Sequence, residues 1–449
     1  MDRRTFTLST LAAAGGITAA SRAFGATAPK PKVGLIGCGW FGGVALDAMA
    51  EVGNVEFISL CDPNSNAIKT TSELLAKHQV APARAFKDYR EMLASAKHDI
   101  VIVSTPDHWH ALPAIAAMKA GADVFLEKPI CVDIMEGEAL VAAERKYKRV
   151  VQVNTQRRSA AFVAEARDKY LRSGRLGTIP LVETYGYLSS RSNDPMPEST
   201  VPAYLDYEMW TGPAPLLPFR SAIQSRLWRS FIEYGNGQVG DLGIHMFDLA
   251  RWMMGLGWPR AISAAGGIYV DKNSPANTSD TQRAEFDYSG LKVSWETRTW
   301  GVAPMPVRHW TDLWGVRFLG DKGTLNLTMV GYEFTPKDGG PVERFNQLAV
   351  DGDYTKLDAS RQDAAMSSVQ LPHVLDFLQA REKRTRPVAD IEEGHISTAC
   401  CILANIAQEL GRPISYDPKT RTVPGDAEAT RRLARVYRKP WTHPDPQSV

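Results

Sequence analysis

The stretch Gly37-Cys38-Gly39-Trp40-Phe41-Gly42 decides the fold of the first part of this chain. It follows the apolar run 33–36 and precedes the helix-like segment 44–51, an order that predicts a strand, a tight turn and a helix. In such a turn the first glycine permits the tight bend, and the second lets backbone N–H groups approach a pyrophosphate. The third allows close packing of the helix on the strand, and the helix N-terminus favours the anion. The stretch therefore predicts a dinucleotide-binding turn that includes Trp40 and Phe41.

A carboxylate at the end of the next strand strengthens this interpretation. The apolar segment 55–60 is followed by Asp62, twenty residues after Gly42. A carboxylate at this spacing can accept both ribose hydroxyls of an NAD-type cofactor. Asp62 would repel the 2′-phosphate of NADP, which favours NAD. NADP stays open as an alternative if the phosphate is accommodated by Asn64, Ser65 and Lys69.

The first 28 residues have the layout of an export leader. Arg3 and Arg4 precede a modest Ala/Gly-rich run, 11–20, and small residues follow up to Ala28. This pattern predicts a twin-arginine signal, recognised by the twin-arginine export machinery and cleaved after Gly25 or Ala28. The apolar run is too short to span a bilayer. We therefore expect an exported, periplasmic protein.

Charge and cysteine usage exclude some classes of function. Residues 1–28 carry Arg3, Arg4 and Arg22 against Asp2, so their removal lowers the formal net charge from +2 to zero. A neutral chain gives no support for nucleic-acid binding. The cysteines have no metal-ligand spacing, so we expect no metal site and mostly buried free thiols. They are Cys38, Cys61, Cys131, Cys400 and Cys401.

Hydrophobic patterning divides the chain into two α/β domains. Residues 29–155 alternate strands and helices, and continuously apolar segments such as 99–105 are typical of a buried parallel sheet. This predicts a doubly wound Rossmann domain with its ligands beyond the carboxyl ends of the strands. Residues 156–410 begin with a helix, 159–173, and continue with alternating strands, which predict a large, open, mainly antiparallel sheet. Residues 411–449 form a C-terminal tail.

Two motifs carry side chains suited to proton and hydride chemistry. Lys128, in Glu127-Lys128-Pro129, follows a predicted parallel strand, where it can stabilise a developing alkoxide or simply be a solvated lysine. Asp241 and His245 lie one helical turn apart. Such a pair suits acid–base work, with the histidine exchanging the proton and the carboxylate orienting its ring. Taken singly, Asp241 also fits a helix N-cap and His245 a core histidine.

In combination these motifs resemble the glucose–fructose oxidoreductase, inositol dehydrogenase and rhizopine-catabolism family (Gfo/Idh/MocA). The resemblance runs from about Lys32 to at least Gly320 and includes Thr105-Pro106-Asp107-x-x-His110. It implies hydride transfer between a nicotinamide and a sugar, polyol or related carbinol, and an open sheet that often mediates homo-oligomerisation. Asp107 departs from the asparagine of many relatives.

The resemblance also assigns roles to individual residues. It implies a catalytic group in which His245 takes the hydroxyl proton, Lys128 polarises the oxygen and Asp241 positions the pair. It implies a cofactor pocket lined by Thr105, Pro106, His110, Glu127, Lys128 and Gln156.

Candidates for the substrate side come from the domain junction and from the segment before Asp241. Aromatic and basic residues there offer a stacking wall and hydrogen bonds for a sugar. The candidates are Arg157, Tyr204, Trp210, Arg226, Trp228 and Arg229.

Three functions are compatible with these features. The first is an exported sugar or polyol oxidoreductase, in which the cofactor stays bound between turnovers because free NAD(H) is scarce outside the cytoplasm. The second is a redox-neutral glycoside hydrolase, which oxidises a sugar carbon transiently and returns the hydride. The third is a non-catalytic sugar sensor, which has no need of the proton-transfer pair. The sequence favours the first.

Overall fold

A computed structural model describes residues 29–79, 81–188, 191–224 and 226–449. The predicted export signal, residues 1–28, lies outside the described residues. Among the helices that are described, none is long and apolar enough to cross a membrane.

The N-terminal domain is built on a six-stranded sheet in which all neighbouring strands are parallel. The strand order β3-β2-β1-β4-β5-β6 reverses direction between β1 and β4, and ligands of doubly wound sheets bind at such a switch point. The strands are β1 (Lys32–Ile36), β2 (Glu56–Cys61), β3 (Arg84–Phe86), β4 (Ile100–Val103), β5 (Asp123–Leu126) and β6 (Val151–Val153). The predicted Rossmann sheet is confirmed.

Helices cover both faces of this sheet because its central strands are apolar on both sides. Every residue of β4 and β5 is buried, as expected for parallel strands between two helical layers. The helices of this domain are α1 (Trp40–Val52), α2 (Ser65–Leu75), α3 (Tyr89–Ser95), α4 (Ala111–Lys119) and α5 (Ile134–Tyr147).

The second domain contains an eight-stranded sheet with the order β14-β13-β12-β11-β7-β10-β9-β8. All of its strand pairs are antiparallel except β7 with β10, which confirms the predicted open, mainly antiparallel sheet. The strands are β7 (Leu181–Gly186), β8 (Ala261–Gly267), β9 (Thr281–Tyr288), β10 (Leu291–Arg298), β11 (Trp314–Gly320), β12 (Gly323–Thr328), β13 (Gly331–Pro336) and β14 (Glu343–Asn346). A separate hairpin comprises β15 (Ala349–Val350) and β16 (Asp353–Leu357).

The two faces of this large sheet differ in chemistry. Along β9 and β10, buried residues such as Phe286, Val293 and Trp295 alternate with polar ones. The polar positions form ion pairs across neighbouring strands, including Arg283 with Glu296 at 2.6 Å and Lys292 with Glu285 at 2.8 Å. The sheet therefore buries one face and presents a charged one.

Six further helices follow β6 in the described chain. They are α6 (Ala161–Ala166), α7 (Tyr207–Thr211), α8 (Ile244–Met254), α9 (Gln362–Lys383), α10 (Ile391–Leu410) and α11 (Ala427–Arg431). The helix predicted at 159–173 is α6 continued by a π-helical segment, Arg167–Arg172. Helix α9 returns to the Rossmann sheet, where Phe377 packs in a cluster with Val33 and Leu35.

The C-terminal tail packs against both domains. Ile414 pairs with Ile262 of β8, and the Leu433 carbonyl accepts hydrogen bonds from the N–H groups of Ile134 and Met135 at the start of α5. The tail therefore joins the second sheet to the first domain.

Candidate active site

Close packing explains two of the glycines in the turn after β1. Gly37 has φ +95°, and a Cβ there would lie 2.4 Å from the Ser104 backbone. A Cβ at Gly42 would lie 1.9 Å from the carbonyl oxygen of Gly37. A Cβ at Gly39 would instead meet no atom within 4 Å, although Gly39 immediately precedes α1. The turn thus leaves the N-terminus of α1 open, which is the arrangement that binds a phosphate.

Asp62 joins the glycine turn to the end of β2. Its Oδ2 accepts a hydrogen bond from the Cys38 N–H at 2.8 Å and its Oδ1 accepts one from the Asn64 N–H at 2.8 Å. Burial raises the pKa of Asp62 to about 6, despite these hydrogen bonds, which lower it. Each oxygen keeps a lone pair for a ribose hydroxyl, so the carboxylate fits the predicted NAD site.

Two residues predicted for the substrate side lie instead beside the cofactor turn. The guanidinium of Arg226 stacks 4.4 Å from the ring centroid of Trp40, which is 67% exposed. The carbonyl of Tyr204 accepts a hydrogen bond from the Ser65 N–H at 2.9 Å, next to Asp62. The structure places Arg226 by the glycine turn and Tyr204 by the predicted ribose site, because their segment folds over the Rossmann domain.

The ammonium of Lys128 is bound to Asp241. Its Nζ lies 3.1 Å from Oδ1 and 2.8 Å from the backbone oxygen of Asp241. The Nε of Arg229 lies 3.1 Å from the same Oδ1. Burial alone would raise the pKa of Asp241, but the two cations outweigh burial and lower it to about 2. Asp241 is therefore an ionised carboxylate that holds Lys128 at the carboxyl edge of the first sheet.

His245 lies on the first turn of α8 with its ring against Trp314, at a centroid distance of 5.2 Å. Its Nδ1 is buried and has no hydrogen bond to any described residue. Burial, with the charges of Lys128 and Arg157, holds the pKa of His245 well below its usual value. The imidazole is therefore neutral at neutral pH and able to accept a proton.

The expected orientation of the His245 ring by Asp241 is not what the structure shows. Residues Val239–Gly243 form a π-helical turn before α8, and the Asp241 carboxylate faces Lys128 and Arg229. Within the described chain, no hydrogen bond joins Asp241 to His245. Asp241 is also not an N-cap, since its carboxylate is bonded to side chains. The sequence spacing assumed a regular α-helix, and the π turn changes the relative direction of the two side chains.

His110 and Glu127 hold the loops around Lys128. The His110 ring lies between the Thr105 carbonyl, at 2.9 Å, and the Pro129 carbonyl, at 2.5 Å. Burial lowers the pKa of His110 to about 4 and raises that of Glu127 to about 7. Glu127 accepts a hydrogen bond from Asn154 at 2.6 Å. His110 therefore positions the loop that carries Lys128.

Several buried polar atoms at the carboxyl ends of β4 and β6 have no partner among the described residues. Buried polar groups are normally hydrogen-bonded, so such atoms indicate a bound ligand. Ser104 and Thr105, which precede Pro106, follow β4, and the other three residues follow β6. The atoms are Ser104 Oγ, Thr105 Oγ1, Thr155 Oγ1, Gln156 Oε1 and Arg157 Nε. Together with the glycine turn and Asp62, the atoms of Ser104, Thr105, Thr155 and Gln156 fit a dinucleotide lying along this edge.

The aromatic candidates divide between wall and core. Trp228 is buried and stacks on Arg229 at 4.1 Å, which places it next to Asp241. Trp210 packs with His108 and Tyr234 and is a core residue of the buried cluster that also includes Trp228. Arg157 lies over Trp314, on the same ring that contacts His245.

Asp107 also belongs to the site. From the sequence it was noted only because many relatives have asparagine at this position. It follows β4, is 5% exposed and has no hydrogen bond from its carboxyl group to any described residue. Burial raises the pKa of Asp107 to about 8, although the charges of Arg229 and Lys128 lower it. From the sequence, Arg229 was predicted only as part of the wall that lines the substrate side. Its position one residue after Trp228 does not indicate that it binds Asp241.

All five cysteines are buried free thiols, as predicted. The pKa values of all five thiols are raised, and burial is the largest cause.

Family comparisons agree with this architecture. Residues 31–155 match the family model described as "Oxidoreductase family, NAD-binding Rossmann fold". Residues 186–288 and 355–443 match its companion, "Oxidoreductase family, C-terminal alpha/beta domain". The two models together cover most of the chain.

Individual relatives match only in part. Inositol 2-dehydrogenase of Salmonella typhimurium is 29% identical over 175 residues, which are 38% of this chain and 48% of that protein. Glycosyl hydrolase family 109 protein 1 of a Shewanella species is 33% identical over 137 residues, 29% of this chain and 30% of that protein. The chain therefore matches half or less of the length of these relatives.

Solved structures share the fold across nearly the whole chain. The aldose-aldose oxidoreductase from Caulobacter crescentus, complexed with glycerol, superposes with a TM-score of 0.62 at 19% identity. The match covers 86% of this chain and 100% of that one. With both of its domains matched by the family models, the chain belongs to the Gfo/Idh/MocA oxidoreductase family.

Proposed function

We propose that this protein is an NAD-dependent dehydrogenase that oxidises a hydroxyl-bearing carbon of a sugar or polyol. The observation that carries the proposal is the arrangement of Lys128 and His245. A lysine held by an ionised carboxylate lies beside a neutral histidine with a free ring nitrogen, at the edge where the fold binds a dinucleotide.

Each side chain has a separate task in this reaction. Lys128 donates a hydrogen bond to the substrate oxygen and stabilises its developing negative charge. His245 accepts the hydroxyl proton as the C–H bond breaks and the C=O bond forms. Asp241 and Arg229 hold the ammonium of Lys128 in place. NAD, when bound, accepts the hydride.

A cofactor-reduction assay tests the proposal. Purified protein with NAD and a panel of aldoses, inositols and sugar acids should form NADH with at least one of them. His245→Ala should abolish this signal while NAD binding, measured by calorimetry, is retained. Absence of cofactor reduction with every substrate, in protein that binds both sugar and NAD, would favour the sugar sensor instead.

A redox-neutral glycoside hydrolase is the second candidate. The partial match to a glycosyl hydrolase family 109 protein supports it. Such an enzyme would release the aglycone from a chromogenic glycoside without net NADH formation. The aglycone release should then depend on bound NAD and on Lys128.

Export and cofactor retention extend the proposal. The twin-arginine pattern at Arg3 and Arg4 supports export to the periplasm in the folded state. The stack of Arg226 on Trp40, and the contact of Tyr204 with Ser65, support a cofactor that stays bound, because second-domain residues contact the glycine turn and the predicted ribose site. Loss of the nucleotide on dialysis of native protein would contradict retention.

A homo-oligomer is proposed from the family resemblance. The large sheet presents a face of ion pairs, which suits association with a second copy. Native mass spectrometry of the exported protein would give the assembly size and identify any retained nucleotide together.

A further inference from the structure

Arg157 is a buried cation without a counterion among the described residues. It is 3% exposed, and its guanidinium lies 4.7 Å from the ring centroid of Trp314. Nη1 donates to the Met329 carbonyl at 3.1 Å, while Nε is buried and has no hydrogen bond to the residues that the structure describes. Across the described ranges, no carboxylate forms an ion pair with Arg157. Burial lowers the pKa of Arg157 to about 10, so the group remains charged at neutral pH.

The next residue in the same turn shows how the fold treats a buried arginine that serves structure. Arg158 donates from Nε and Nη2 to the two oxygens of Asp248, at 2.8 Å and 2.7 Å. It also contacts Glu393 at 3.2 Å. Breaking a buried charge pair is strongly destabilising, so an arginine left without a partner is costly to the folded state. The difference between Arg158 and Arg157 indicates that Arg157 binds an anion that is not part of the protein.

The groups around Arg157 do not cancel its charge. Lys128 and Arg229 share the single carboxylate of Asp241. His245 is neutral, and burial raises the pKa of Asp107 to about 8 and of Glu127 to about 7. The site therefore carries an excess of positive charge at neutral pH.

A cofactor phosphate does not account for this excess at Arg157. The glycine turn follows β1, whereas Arg157 follows β6, three strands away in the sheet order. At the usual spacing of neighbouring strands, this separation is roughly 14 Å. Arg226, stacked on Trp40, is the arginine at the phosphate end.

We propose that the substrate is a sugar acid, whose carboxylate binds the Nε–Nη2 edge of Arg157 while the reacting hydroxyl lies at Lys128 and His245. This inference rests on the proposed dehydrogenase function. The flat edge of a guanidinium, with two parallel N–H groups, matches a carboxylate. Arg157 and His245 both contact Trp314, so one small molecule can reach both.

The test uses matched pairs of acid and neutral compounds with the full-length holoenzyme. The pairs are gluconate with glucitol, glucuronate with glucose, and galacturonate with galactose, and glucose 6-phosphate is included as a different anion. Binding is measured by calorimetry and turnover by NADH formation. At least one acid should bind and react at least about tenfold better than its neutral partner, as a charge-assisted hydrogen bond predicts.

Variants assign the preference to Arg157. In Arg157→Gln the acid-to-neutral ratio of kcat/KM should fall by about 30- to 100-fold, and Arg157→Lys should retain part of it. Arg167→Gln is the matched control, because Arg167 also lies on a tryptophan, Trp252, at 3.6 Å, but outside the site. Its ratio should equal that of the unmodified protein. Melting temperatures identify any variant that fails to fold, in which case Arg157→Lys alone decides the test.

Each outcome separates this inference from the proposed function. Turnover of neutral sugars as efficient as that of acids, or better turnover of the phosphate, would overturn the sugar-acid inference and leave the dehydrogenase proposal standing. Acid binding that depends on Arg157 but forms no NADH would support the carboxylate site and overturn the dehydrogenase proposal. If no acid binds, the inference is wrong.

Discussion

Two clusters of charged side chains differ in how completely their atoms are paired. One, the tail clasp, comprises Asp133, Glu136, Arg435, Tyr437 and His443. The other is the site around Lys128. In the clasp every ionisable side chain has a hydrogen-bond partner, whereas His245 Nδ1 and Arg157 Nε have none in the part of the chain that the structure describes.

The clasp shows the pattern of a structural cluster. Asp133 accepts hydrogen bonds from the N–H groups of Glu136 and Arg435, at 2.8 Å and 2.9 Å, and contacts His443 Nε2 at 2.9 Å. Glu136 accepts from the Val132 N–H and from the Tyr437 hydroxyl. Although Asp133, Glu136 and His443 lie close enough together to hold a metal ion, these protein donors already occupy their oxygens. The fully paired clasp therefore holds the C-terminal tail in place, whereas the incompletely paired cluster around Lys128 indicates a bound ligand.

The largest effect should come from Lys128→Ala. Loss of the ammonium removes the stabilisation of the developing alkoxide, so kcat should fall by about 1,000-fold or more in the NADH assay. The melting temperature should change little, since Arg229 still pairs with Asp241. Lys119→Ala, at an exposed lysine, is the control and should keep full activity. If the Lys128→Ala variant keeps the normal kcat, the cluster around Lys128 is not the catalytic site.

Asp133→Ala should have the opposite signature. Removal of the buried carboxylate leaves its hydrogen-bond partners unpaired. The free energy of unfolding should therefore fall by about 3 kcal/mol in urea titrations. The folded fraction should retain its kcat. Asp417→Ala, in an exposed turn of the same tail, provides the comparison and should cost far less. Equal losses in the two variants would show that the clasp contributes no special stability.

The pH dependence of stability should report His443. Its Nε2 lies 2.9 Å from the Asp133 carboxylate, and the negative charge of that group favours the protonated ring. Burial alone would lower the pKa of His443, but Asp133 outweighs burial and raises it. The stabilisation is therefore complete below the ordinary histidine pKa, about 6.5, and is lost as pH rises through the folded-state value.

His443→Gln isolates this contribution from other titrating groups. The difference in unfolding free energy between the protein and the variant should shrink as pH rises from 6 to 9. A difference that is constant or grows with pH would contradict a protonated His443.

The smallest effect should come from Arg226→Ala. The stack on Trp40 is exposed, and a cation–π contact of this kind contributes about 0.5–1 kcal/mol. NAD affinity should therefore weaken about two- to fivefold, with kcat unchanged. Arg298→Ala, which removes a similar stack on Tyr187 in the second domain, should leave NAD affinity as it is. A loss of kcat in Arg226→Ala would indicate that Arg226 contacts the substrate, as predicted from the sequence.

The fold was largely predictable because it depends on local pattern. Continuous apolar segments fix β4 and β5 as buried parallel strands, and the spacing from Gly42 to Asp62 fixes the first strand–helix–strand unit. Alternation in β9 and β10 similarly identified the open sheet. The positions of Tyr204 and Arg226 were not predictable, because they depend on how a long loop folds back over the first domain.

The sequence by itself determined the Rossmann turn, the two-domain plan and the identity of the side chains available for chemistry. Only the tertiary structure decided which of those side chains have partners. The π turn before α8 directs Asp241 to Lys128 rather than to His245, and packing at the domain junction gives Arg158 a carboxylate partner but gives Arg157 none among the described residues. Periodicity places a residue on a face of its own element, but the partner of a buried charge is chosen by elements far away in the chain.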